Sequence, residues 1–171
     1  MNRVALVIGN SEYLNIGKLN NPKNDANDIA SILGKLNFDV EKVIDADLLD
    51  IQRSVNKFLQ ALDEYAVGLF FYAGHGMQID GKNYIVPVDL KLGDKSRTTV
   101  SCYCLNSLLD GAATYKGKTL ICILDACRDN PFAIGRGLIA GFAPFCASTT
   151  IQALIVLHLM DTVATDCILK Y

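Results

Sequence analysis

Val67-Gly68-Leu69-Phe70-Phe71-Tyr72-Ala73-Gly74-His75-Gly76 is the stretch whose reading decides the fold. Its first seven residues are apolar almost throughout, without the alternation of a half-exposed strand. Such a run suits a β-strand in the middle of a sheet covered on both faces. The glycine pair around His75 reads as the break at the strand's C-terminal end. A second continuous run, Thr119-Leu120-Ile121-Cys122-Ile123-Leu124, follows Lys118 and ends in Asp125-Ala126-Cys127-Arg128-Asp129.

Working outward from these two runs, residues 2–9 form a strand that stops at Gly9-Asn10-Ser11. A loop continues through Asn20, Pro22 and Asn24. Asp25 then suits the cap of a helix in which Ala26, Ile29, Ala30, Leu33 and Leu36 recur at 3–4 spacing. Residues 38–44 are rich in Val and Ile and read as a second strand. Ile51, Val55, Phe58, Leu59 and Leu62 then make one helical stripe, with Gln52, Arg53, Asn56 and Lys57 on the other side. The order strand, helix, strand, helix, strand predicts an α/β layer fold with a mainly parallel central sheet and helices on both faces. Residues 78–88 suit a hairpin turning at Asp80-Gly81 and ended by Pro87, and Leu105, Leu108 and Leu109 suit a short helix.

The whole composition fits one globular domain. The chain has 171 residues, 51% of them hydrophobic and 20% charged, which excludes a disordered or low-complexity segment as the main component. With 16 basic against 18 acidic residues the net charge is -2, so there is no electrostatic case for nucleic acid or an anionic membrane as partner. The longest apolar stretch, 153–160, has 8 residues and contains His158, far short of the roughly 20 needed to span a bilayer. No signal-peptide pattern opens the chain, and a cytoplasmic location is the expectation. Nothing in the sequence specifies an oligomeric state.

All six cysteines (102, 104, 122, 127, 146 and 167) lie beyond residue 101, so they do not form a framework that staples the N-terminal half. Cys102 and Cys104 alone do not complete a zinc site, and neither His75 nor His158 has a metal-like neighbour; no metal is expected. Cys122, inside a strand, should be packing. No Cys-x-x-Cys, dinucleotide glycine pattern or phosphate-loop lysine supports a redox or nucleotide-binding module.

His75 and Cys127 stand apart because each follows a long apolar strand, and sites in parallel sheets gather at the C-terminal ends of strands. If the two strands are neighbours, thiol and imidazole meet. Imidazole can take the thiol proton and later protonate a leaving amine, which is the chemistry of nucleophilic acyl transfer. Backbone N–H groups of Gly76 and Cys127 are candidates for an oxyanion hole. The bland alternative is a loop histidine with an inert, half-buried cysteine.

Tyr72-Ala73-Gly74-His75-Gly76 together with Asp125-Ala126-Cys127-Arg128-Asp129 resembles the bacterial metacaspase-like branch of the caspase-like cysteine peptidases. The caspase pattern is Q-A-C-[RQG]-G with a histidine about 50 residues upstream; here Asp125 and Asp129 replace the outer Gln and Gly. Val4-Ala5-Leu6-Val7-Ile8-Gly9-Asn10, Asn24-Asp25-Ala26 and Gly81-Lys82-Asn83-Tyr84-Ile85-Val86-Pro87 extend the likeness over residues 2–141. The resemblance implies a three-layer caspase-like fold in a catalytic domain spanning 1–141, with 142–171 an atypical tail. It implies His75 as general base and acid, Cys127 as nucleophile, and Asp25 and Asp125 as carboxylates that bind Arg or Lys of a polypeptide substrate. Some relatives need calcium; Asp80, Asp89 and Asp94 are loose candidates that form no readable site.

The chain departs from the family at its end. Gly141-Phe142-Ala143-Pro144-Phe145-Cys146 leads into 29 residues from Ala143 onward that lack Glu and Arg. Two further strands and a cleft wall are expected there, and only Leu154 to Leu159 suits a buried strand. A reading-frame slip near Phe145 would account for the change. The leading expectation is a cysteine endopeptidase cutting after Arg or Lys. The alternatives are an inactive binding or scaffold module, or a frameshifted product with an incomplete cleft.

Overall fold

The computed structural model describes residues 2–127, 139–140 and 153–158; for Cys127 and the two later stretches this is the course of the backbone. β1 (Arg3–Gly9), α1 (Pro22–Lys35), β2 (Phe38–Ile44), α2 (Leu48–Ala61) and β3 (Val67–Ile79) follow in the expected order. β1 pairs in parallel with β2 on one side and β3 on the other. β6 (Thr119–Cys127) lies parallel to the far side of β3, and β8 (Ala153–His158) lies parallel to β6. The parallel strands therefore run β2-β1-β3-β6-β8, the crossover arrangement that βαβ order produces.

Side-chain alternation divides the layers. Val4, Leu6, Ile8, Phe70, Tyr72, Leu120, Cys122 and Leu124 pack with Ile51, Val55 and Phe58 of α2. The same face takes Leu105, Leu108, Leu109 and Ala112 of α4 (Leu105–Ala112). On the opposite face Ala5, Val7, Leu69, Phe71 and Ala73 pack with Ala26 and Leu33 of α1, and Ile121 and Ile123 lie against them. Each fully buried Leu, Ile or Phe in these layers contributes about 1.5–3 kcal/mol of transfer free energy. The three-layer α/β architecture with helices on both faces is thus the one the sequence order implies.

α1 begins earlier than its apolar spacing indicates. It starts at Pro22, where a fixed φ and a missing N–H suit the first helical position. Asn21, the capping residue, makes no side-chain cap bond. Instead Ser11 Oγ accepts the Lys23 N–H at 3.0 Å, from a loop distant in sequence. Asp25 is consequently inside the first turn rather than the cap; a carboxylate there still complements the helix dipole.

β3 also differs from expectation, since Gly74 does not end it. The strand runs on to Ile79 because β4 (Lys82–Ile85) folds back against it through Asp80 and Gly81, with φ of 50° and 75°. Two successive positive φ values are those of a type I′ hairpin turn, whose twist matches the strands. β5 (Tyr103–Cys104) pairs antiparallel with β4, and β7 (Ile139–Ala140) antiparallel with β3. α3 (Lys95–Val100) is unanticipated: Asp94 accepts the Arg97 N–H at 2.9 Å and caps it.

Candidate active site

The parallel ladder of β3 and β6 sets Ala73 opposite Asp125, Gly74 opposite Ala126 and His75 opposite Cys127. Neighbouring strands lie about 4.8 Å apart, so residues far apart in the chain become lateral neighbours at the C-terminal end of the central strands. Beyond this point β3 exchanges its partners and continues beside β4. The site is therefore at the seam between the parallel sheet and its antiparallel extension.

His75 is 3% exposed and held on three sides. Its Nε2 lies 2.8 Å from the carbonyl oxygen of Gly17. A carbonyl only accepts, so this contact places the ring hydrogen on Nε2 and makes Nδ1 the basic nitrogen of the neutral imidazole. The His75 backbone N–H donates to the Tyr13 hydroxyl at 2.8 Å, and the Tyr13 ring sits 4.6 Å from the imidazole, tilted by 53°. The Tyr72 hydroxyl donates to the His75 carbonyl at 2.7 Å. Gly17 and Tyr13 belong to one loop, fastened where Asp45 accepts the N–H groups of Ser11 and Glu12 at 2.8 and 2.9 Å.

Tyr13 and Gly17 were not among the residues the sequence singled out, and Tyr72 entered only as part of the motif around His75, with no role of its own. A carbonyl partner has no side-chain signature, and a tyrosine in a polar loop gives no sign of burial. Tyr72 does fall on the α2 side by strand alternation, which marks it as core.

Asp25 and Asp125 are both half-buried and come to the same end of the sheet. Asp125 shares the parity of Ile121 and Ile123, the α1 side, and its ladder row runs across Ala73 to Gly9. At Gly9 a side chain is excluded: an added Cβ would lie 2.5 Å from the Pro22 carbonyl and 2.6 Å from Ala26 Cβ. That close approach seats the first turn of α1, and with it Asp25, over the end of β1. Gly76 faces Ile85 in the ladder, and the Val86 N–H is donated to the His75 carbonyl at 3.1 Å. The alternation of an antiparallel ladder then turns the Gly76 N–H away from β4.

Three other cysteines have described side chains. Burial pushes the thiols of Cys122 and Cys102 up to about 12, and Asp89 adds to the effect at Cys102. Cys104 is half-buried. Cys146 and Cys167 lie outside the described residues, as does Asp129. Asp80 pairs with Lys95, and Asp94 caps α3. Among the described residues no three His, Cys, Asp or Glu side chains gather as a metal ion would require. No helix among them is long and apolar enough to cross a membrane.

Comparison with known proteins bears on the family and the fold. Residues 2–158 match the caspase domain that defines peptidase family C14. Human mucosa-associated lymphoid tissue lymphoma translocation protein 1 is 32% identical over 126 residues, covering 74% of this chain and 15% of the human protein. The paracaspase of Dictyostelium discoideum is 29% identical over 133 residues, covering 74% of this chain and 31% of that protein. The chain thus spans less than a third of either relative. Among solved structures, a Geobacter sulfurreducens protein superimposes with a TM-score of 0.59 at 17% identity, covering 75% of this chain and 52% of that one. The Drosophila initiator caspase Dronc gives 0.58 at 12%, covering 75% and 50%. With the helix layers, the strand order and the His75–Cys127 register in place, the matched sequence assigns this chain to the caspase-domain family of cysteine peptidases.

Proposed function

We propose that this chain is a cysteine endopeptidase hydrolysing polypeptides after Arg or Lys, with Cys127 as nucleophile and His75 as general base and acid. The observation that carries the reading is the register of His75 against Cys127 across two central parallel strands. Asp125 and Asp129, where the caspase pattern has Gln and Gly, favour the metacaspase-like side of the family.

In the proposed cycle Nδ1 of His75 takes the Cys127 proton and the thiolate attacks the scissile carbonyl carbon. The developing oxyanion is received by the N–H groups of Gly76 and Cys127. Collapse breaks the C–N bond as His75 returns the proton to the departing amine, leaving a thioester on Cys127. Water, deprotonated by His75, then cleaves the thioester and regenerates the thiol. The Gly17 carbonyl bonded to Nε2 stabilises the imidazolium present between these proton transfers. The dyad chemistry draws on no cofactor. Asp25 and Asp125, seated at one end of the sheet, offer two carboxylates to a guanidinium or ammonium and disfavour an acidic side chain.

The test is covalent capture by a peptidyl-arginine electrophile together with cleavage of a basic-P1 peptide. Stoichiometric loss of the Cys127 thiol is expected, with Cys127→Ala abolishing it and His75→Ala lowering turnover by about 10²–10⁴. Asp125→Ala is expected to lower kcat/KM for an Arg peptide by about tenfold to a hundredfold, as truncating one partner of a partly buried charge pair does. Unchanged Arg/Lys selectivity in that variant removes the role assigned to Asp125. A folded chain that takes no label in any condition is instead a binding module of the same fold.

A further inference from the structure

We infer that Tyr13 is a positioning residue for His75, acting through both its hydroxyl and the loop it anchors; the inference rests on His75 being the general base. Tyr13 is 1% exposed although it lies in a loop between β1 and α1. Its hydroxyl accepts the His75 backbone N–H at 2.8 Å and lies 3.3 Å from the Tyr72 hydroxyl, which itself donates to the His75 carbonyl. The two phenols thus engage the amide and the carbonyl of one residue. Regular pairing does not supply that amide: on the same side Val86 donates to the His75 carbonyl, but the His75 N–H goes to Tyr13.

The ring and the loop add two further constraints. At 4.6 Å between centroids the Tyr13 ring limits how the imidazole turns. Four residues on in the same loop, the Gly17 carbonyl takes Nε2–H. The loop is laid along 88–90 by the Leu14 N–H on the Val88 carbonyl at 2.9 Å and Asn15 Nδ2 on the Leu90 carbonyl at 3.0 Å. Tyr13 therefore joins the backbone of His75 to the segment that selects its tautomer. A catalytic histidine has to present the correct nitrogen in the correct direction, and a small misplacement there is reflected in turnover more than in binding.

Tyr13→Phe removes one oxygen and keeps the ring. The expected result is a fall in kcat of about tenfold with KM within about twofold, together with a loss of the single Nε2–H tautomer of His75. The tautomer is read by long-range nitrogen–proton NMR of labelled imidazole, with His158→Gln leaving one histidine in the chain. Either quantity remaining at its wild-type value overturns the inference, as does a rise in KM alone. Should Tyr13→Phe fail to fold, Tyr13→3-fluorotyrosine, near-isosteric and a weaker acceptor, is read by the same two quantities against the same criterion. A wild-type chain that neither cleaves nor takes the electrophile removes the proposed function; the tautomer then decides on Tyr13 alone.

Discussion

Gly74 shows how much of the site is decided by single residues. Its φ of 153° is one that L side chains rarely adopt, and an added Cβ would meet the hydroxyls of Tyr72 at 2.6 Å and Tyr13 at 2.7 Å. Both hydroxyls are bonded to His75, so neither can give way without loosening it. Gly74→Ala should cost about 1–3 kcal/mol from backbone strain, with overpacking added. The denaturation midpoint should fall with an unchanged m-value, and turnover should fall in the surviving folded protein. A second consequence concerns Cys102 and Cys122. Each thiol titrates near 9 when unburied and at about 12 in the fold. Between these values the unfolded chain has released the proton and the folded chain has kept it. Stability is therefore untouched below about pH 9 and falls above it, by about 1.4 kcal/mol per pH unit for each thiol. Urea titrations from pH 8 to 11 should show that slope, and Cys122→Ser should reduce it. At pH 8 both thiols should resist alkylation until the chain unfolds.

Element ends follow from where N–H groups find acceptors. Asp47 accepts the Asp50 N–H at 2.8 Å at the start of α2, so Asp47→Ala should cost about 1 kcal/mol. Asn21 occupies the equivalent position of α1 without a side-chain bond. Asn21→Ala should therefore be nearly neutral, whereas Ser11→Ala, which removes the acceptor for Lys23, should cost about as much as Asp47→Ala. Thermal melts of the three variants check the order. The same comparison explains what was legible in the sequence. The stripe of α2 and the apolar runs of β1, β3 and β6 are local patterns, and they mark the elements. The start of α1 is not local, because its acceptor is Ser11; and the extension of β3 past Gly74 depends on β4 returning. The apolar runs leading to His75 and Cys127 were legible, although β3 continues past His75 to Ile79, while Gly17 contributes only a carbonyl, which any residue possesses.

At the scale of the molecule, the residues of the candidate site meet because strand order makes distant segments adjacent. Asn10 shows the same dependence: buried at the end of β1, it donates its N–H to Ala73 at 3.0 Å and Nδ2 to Val86 at 3.0 Å, and its Oδ1 accepts the Ala46 N–H at 2.9 Å. One side chain thereby ties β1, the segment after β2 and the segment after β4 around the His75 strand. Cys127 has a comparable dependence on β8. β6 pairs with β3 on one edge and with β8 on the other, over Thr119 to Leu124 opposite Ala153 to His158. β8 falls within 142–171, beyond the motifs read from the sequence but inside the caspase-domain match, which runs to residue 158. A chain ending at residue 141 would leave the outer edge of β6 without its partner, three positions before the candidate nucleophile. Unpaired edges of a central strand exchange rapidly and template association. Such a chain should lose amide protection along β6, particularly at Leu120, Cys122 and Leu124, while β1 and β2 keep theirs. It should also associate in a concentration-dependent way and capture the arginyl electrophile more slowly than the full chain. Hydrogen exchange beside labelling kinetics on both lengths measures this; protection at β6 equal to that of the full chain would show that β8 does not support the strand carrying Cys127.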